Sequence, residues 1–144
     1  MIHIFIPDQT LQVLGWTPEP YESLHDLPAD IPHSLRDHIE AQARQNAGKI
    51  LPMVWLSCEG AESFDRGHLG EVTYSPWQGF PTHYFPYRGA QNGTAYQAPL
   101  VAVRFDSIPE GMEVSVVCRA WAKNLVIDKP NRLGSVEFQI YKIF

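Results

Sequence analysis

Residues 99–121 read PLVAVRFDSIPEGMEVSVVCRAW, and this stretch decides the fold. In its first part Val101, Val103 and Phe105 alternate with Leu100, Ala102 and Arg104. In its last part Val114, Val116, Cys118 and Ala120 fall together on one face. A side-chain period of two belongs to a strand with one face buried and the other wet, as antiparallel sheets allow. Between the two runs, Ile108-Pro109-Glu110-Gly111 supplies turn chemistry.

Working outward, the same reading recurs. SVEFQIYKIF (135–144) sets Val136, Phe138 and Ile140 against Glu137, Gln139 and Tyr141, GEVTYS (70–75) alternates, and LPMVWLS (51–57) is apolar and β-rich. The final strand ends on Tyr141, Ile143 and Phe144, which calls for pinning in a sheet or against a partner. Asp128-Lys129-Pro130-Asn131 forms the turn before it. At the other end IHIFI (2–6), Pro7-Asp8-Gln9 and LQVL (11–14) predict a β-hairpin over residues 1–14. Residues 15–32 hold Pro18, Pro20, Pro28 and Pro32 and predict a semi-rigid extended connector.

One helix is expected over 31–47, where Leu35, Ile39 and Ala43 form a stripe with Ile31 and Ala47. Asp30 or Ser34 can cap it and Gly48 can end it. The stripe is narrow, so the helix must lean on something larger, namely the β-rich body of residues 51–144. The expected architecture is a single domain over 1–144, mainly β, a β-sandwich or curled antiparallel sheet with one flanking α-helix.

Composition limits the function classes. Lys and Arg number 11 against 16 Asp and Glu, for a net charge of −5, with no basic cluster; nucleic acid is a poor partner. No apolar run reaches the roughly 18–20 residues of a membrane span, and the N-terminus lacks a basic leader, so neither membrane insertion nor a signal peptide is expected. Cys58 and Cys118 fit no metal spacing and are expected buried and reduced, although a single bridge remains open. The sequon Asn92-Gly93-Thr94 reads better as a tight Asn-Gly turn.

Catalytic signatures are lacking. Glu59, Glu62, Asp65, His68 and Glu71 recur through CEGAESFDRGHLGE, and Asp65 with His68 are the remote candidates for a metal or an acid–base pair. The composition is that of a solvated polar loop, without the ligand pattern of a calcium loop. His33 and His38 are five apart and miss the spacing of a helical metal pair. No G-x-S-x-G, Walker loop or G-x-G-x-x-G occurs, so no enzyme and no cofactor are expected.

What remains is SPWQGFPTHYFPYRG (75–89), with five aromatic rings and three prolines on an irregular backbone. The rings of Trp77, Phe80, Tyr84, Phe85 and Tyr87 can turn inward and close one end of a sheet. They can instead face a partner, since Trp, Tyr and Arg dominate interfaces and a stiff loop loses little freedom on docking. His83 and Arg88 complete this candidate surface, and Gln91 and Asn92 would join it if the ligand were a glycan.

In outline IHIFIPDQTLQVLG, LPMVWLS and the closing VEFQIYKIF resemble the small β-rich minor tail and tail-tip proteins of long-tailed bacteriophages. That resemblance implies a non-enzymatic structural protein of the virion, assembled in the host cytoplasm. It implies docking through its aromatic and Pro-rich loops onto other tail proteins and copies of itself. The alternative is a lectin-like module binding a host surface glycan or receptor.

Overall fold

In a computed structural model the chain is described over residues 2–7, 16–85, 99–125, 127 and 134–143. Seven strands are seen among the described residues: β1 (Ile2–Pro7), β2 (Met53–Gly60), β3 (Val72–Ser75), β4 (Gly79–Pro81), β5 (Leu100–Phe105), β6 (Glu113–Trp121) and β7 (Ser135–Tyr141). They form two sheets of antiparallel neighbours, β1-β5-β3 and β4-β2-β6-β7. The alternation read from residues 99–121 holds: Val101, Val103 and Phe105 from one sheet meet Val114, Val116 and Cys118 from the other in a shared core. The mainly β expectation stands.

β2 explains why LPMVWLS does not alternate. Val54, Leu56 and Cys58 enter the core between the sheets, while Met53 and Trp55 belong to a second buried cluster with Trp121. Helix α1 (His33–Gln45) covers that second face with Leu35, Ile39 and Ala43. A strand buried on both faces has no polar side to show. α1 starts after Pro32 with no side-chain cap, so neither Asp30 nor Ser34 plays the expected part. It ends through Ala47 and Gly48, both at positive φ, and the Gly48 N–H reaches back 2.7 Å to the Ala43 carbonyl. That is the six-to-one bond of a glycine-terminated helix.

Three features differ from the sequence reading. The acidic stretch after β2 is no solvated loop but a second helix, α2 (Ser63–Leu69). The Asp65 carboxylate, 7% exposed, accepts from the Glu62 N–H at 3.1 Å and from the Ser115 N–H at 3.0 Å. It caps α2 and staples it to β6. Gly60 is required beneath, because a Cβ there would lie 2.3 Å from the Arg66 nitrogen.

The cysteines are not reduced. β2 and β6 pair Cys58 directly with Cys118, which brings their Cα atoms to 4.0 Å, and a disulfide joins them. Sheet register, which composition cannot supply, creates that pair.

The Pro-rich segment, finally, is packed as a strap. Tyr21, Leu27 and Ile31 are buried with α1. Asn124 accepts from the Glu19 N–H and donates to the Thr17 carbonyl, both at 2.8 Å, and the Lys123 N–H donates to the Glu19 carbonyl at 2.9 Å. Arg119 stacks 3.8 Å over Trp121 and holds Asp30 at 3.1 Å. Burial raises the Tyr21 phenol to about 12, with Arg119 opposing and Asp30 adding to the rise. Strand β1 pairs with β5 along its whole length, while residues 11–14, its expected hairpin partner, lie outside the described residues, as does the turn at 128–131.

Candidate functional site

β3 belongs to one sheet and β4 to the other, so Pro76-Trp77-Gln78 is a three-residue arch crossing between them. Its feet are held by hydrogen bonds to the edge of β2. Beyond β4 the edge of β2 has no strand partner among the described residues, yet its polar groups are met. The Leu56 N–H donates to the Gln78 carbonyl at 3.0 Å, and Gln78 Nε2 donates to the Leu56 carbonyl at 3.1 Å. One residue pair further on, the Cys58 N–H donates to Tyr74 Oη at 2.8 Å, and the hydroxyl faces the Cys58 carbonyl at 3.4 Å. Gln78 and Tyr74 thereby stand in for a missing stretch of strand. Burial raises the Tyr74 phenol to about 12, the Cys58 bond lowering it in part and Glu59 adding to the rise.

At the top of the arch Trp77 is 49% exposed. Beneath it lies a cavity of about 490 Å³ walled by His38 and Gln45 of α1, with Leu51, Trp55, Val72 and Tyr74. A second hollow of the same volume continues past His38, Tyr74 and Gln78 toward Glu59, Arg66 and Glu71. His38 meets the Trp55 ring edge to face at 5.9 Å, and burial holds its imidazole below the usual value. Trp55 Nε1 is buried without a hydrogen-bond partner among the described residues. The groove is thus aromatic, carries few charges and is rimmed by two exposed apolar side chains, Leu51 and Trp77. Among the described residues that line it, no constellation for bond-making is seen.

The other residues singled out by sequence divide. Phe80 is buried in the core. Phe85 is buried and takes the Trp16 ring edge-on at 5.5 Å. Tyr84 is half-buried against the core, with the exposed His83 ring 4.4 Å away. Tyr87 and Arg88 lie outside the described residues, as do Gln91 and Asn92. Asp65 is spent on the α2 brace, and His68 Nδ1 sits 2.8 Å from the Phe64 carbonyl with the two rings stacked. Among the described residues no group of three or more His, Cys, Asp or Glu could hold a metal ion, and no helix is long and apolar enough to cross a membrane. Sequence reasoning weighed His38 only as a metal ligand and did not single out Leu51, Tyr74 or Gln78.

Comparison with known proteins gives a definite match. The family model of the sodium/potassium ATPase beta chain fits residues 9–138. Sodium/potassium-transporting ATPase subunit beta-2 of Drosophila melanogaster is 40% identical over 129 residues, covering 90% of this chain and 39% of the fly protein. Subunit beta-1 of the same fly is 38% identical over 132 residues, with the same shares. The probable subunit beta-3 of Caenorhabditis briggsae is 35% identical over 130 residues, covering 90% of this chain and 34% of that protein. The chain therefore spans well under half the length of the curated relatives it matches.

These matches overturn the resemblance to phage tail proteins. With it go the virion location, the virion role, the tail-protein and self-assembly partners and the lectin-like alternative. The resemblance rested on a strand pair, an apolar strand and an aromatic last strand, and features of that kind recur on many unrelated β-folds.

Proposed function

The chain belongs to the sodium/potassium ATPase beta chain family, and from that premise we propose that it is part of the beta subunit of a cation-transporting ATPase and meets another subunit of that ATPase through Trp77 and the groove below it. As the sequence led us to expect, the chain is not itself an enzyme: beta chains are non-catalytic subunits.

The observation that supports the docking surface is the split within one aromatic segment. Phe80 and Phe85 are buried where they hold the segment down, whereas Trp77 stands out on a braced arch beside the exposed Leu51. A large apolar ring held out in water, next to a concave apolar wall, is the anchor-and-pocket arrangement of interface hot spots. His83 is a further exposed contact on the same segment, and Tyr87 and Arg88 follow it in sequence. The disulfide supports placing this part of the subunit on the oxidising side of the membrane, because such bonds are rare in the cytosol.

The test is co-expression of the full chain with the subunit carrying the ATPase activity, followed by co-precipitation. Trp77→Ala should cut recovery by about thirtyfold, the value of a strong hot spot. Undiminished recovery would remove Trp77 from the interface.

A further inference from the structure

The arch is short, its two ends belong to different sheets, and its feet are tied to one strand edge by two side chains in register. Leu56 and Cys58 present their backbone N–H and C=O groups on the same side of β2; Leu56 is met by the peptide carbonyl and the side chain of Gln78, and Cys58 by the Tyr74 hydroxyl near the end of β3. Tyr74 lies in the sheet of β5, paired opposite Val103, and yet its hydroxyl reaches across to β2 in the other sheet. Gln78 sits immediately before β4, whose Gly79 pairs with Trp55. Gly79 allows no substitute, since a Cβ there would come 2.4 Å from the Val54 carbonyl oxygen, so the second foot approaches β2 as closely as backbone can. Between the two feet lie Ser75, which pairs with Ala102, and then only Pro76 and Trp77 outside any strand.

We propose that Tyr74 and Gln78 are positioning residues for the docking surface: together they replace a strand at the edge of β2 and so hold the Trp77 ring out over its groove. This rests on the reading of Trp77 as the contact. Their bonds also serve otherwise unpaired backbone groups, and a donor or acceptor left unpaired in a buried place is costly. That requirement couples the position of the ring to the integrity of the edge. With either side chain shortened, one foot of the arch is weakened, the Leu56 N–H bond to the Gln78 carbonyl alone remaining at the second, and the ring gains freedom it must give up again on binding, at a cost in affinity.

The chain has four tryptophans, so labelling the full chain with 5-fluorotryptophan gives four fluorine lines, that of Trp77 being assigned by its loss in Trp77→Phe. Tyr74→Phe and, independently, Gln78→Ala should broaden and shift the Trp77 line while the lines of the buried Trp55 and Trp121 stay in place. Capture of the ATPase-bearing subunit should fall about fivefold for each, the effect of losing one ordinary hydrogen bond's worth of order. Gln78→Glu, which keeps length but not the donor, should behave like Gln78→Ala. An unmoved Trp77 line in both variants overturns the proposal. So does equal movement of the Trp55 and Trp121 lines, which would mean a general loosening of the fold. If Trp77→Ala leaves capture intact, the docking reading fails, and the fluorine lines still report separately whether the two residues hold the arch.

Discussion

Residues 16–32 and residues 75–85 look alike as sequence: both are rich in proline, both carry aromatic rings, and neither can be a helix or a long strand. In the folded chain they behave in opposite ways. The first is a strap, its Tyr21, Leu27 and Ile31 buried with α1 and its backbone paired to Lys123 and Asn124. The second buries Phe80 and Phe85 but holds Trp77 in the open. Proline content predicts stiffness; orientation is decided by which neighbouring backbone groups need partners. The strap runs beside the end of β6, where an amide side chain can bind it twice. The arch must cross between sheets, and its apex leaves the Trp77 ring half in water.

Four expectations sharpen or break this contrast, from the largest effect on stability to the smallest. Replacing Tyr21 or Phe80 by alanine should cost about 3–5 kcal/mol each in urea denaturation, since each empties a buried aromatic site in its own segment. A cost below about 1 kcal/mol at Tyr21 would show that the strap is not part of the core. Exchanging both Cys58 and Cys118 for serine should cost about 2–4 kcal/mol by the same measurement, because the bond closes a long loop in the unfolded chain. Asn124→Ala, which removes both strap bonds, should cost about 1–2 kcal/mol, and hydrogen exchange at Glu19 should quicken while that at Leu56 does not change. Trp77→Ala should alter stability by less than about 0.5 kcal/mol, because its ring is half in water.

The groove adds a pH dependence. His38 has a folded-state value lowered by burial from its ordinary 6.5, so the unfolded chain takes up the proton first as pH falls. The stability this neutral ring supports is present above 6.5 and is lost as pH drops from 6.5 through the lowered folded value. Urea midpoints between neutral and mildly acidic pH should therefore decline, and His38→Gln should flatten that decline.

Much of the fold was legible in the sequence. Alternation in residues 99–121 and 135–144 gave strands β5, β6 and β7 with their inward faces, and the Leu35, Ile39, Ala43 stripe gave α1. What escaped had a common cause. The disulfide, the Asp65 staple to Ser115 and the Tyr74 bond to Cys58 all join residues far apart in sequence, and each depends on sheet register. α2 was passed over because Gly67 and four polar residues outweigh Phe64 and Leu69 in so short a span, although Glu62 and Asp65 form a capping box at its start. The candidate site was legible as a segment and not as a geometry. Composition singled out Trp77, but not that it alone among Trp77, Phe80 and Phe85 would face water, nor that α1 would lend His38 and Gln45 to its groove.

The contrast between strap and arch is most directly tested by photo-crosslinking within the assembled ATPase, with benzoylphenylalanine placed at Trp77 in one chain and at the exposed Glu22 of the strap in another. Crosslinks to another ATPase subunit from position 77 and none from position 22 are the expected result. Crosslinks from position 22 with position 77 silent would make the strap the docking surface and the arch a bystander.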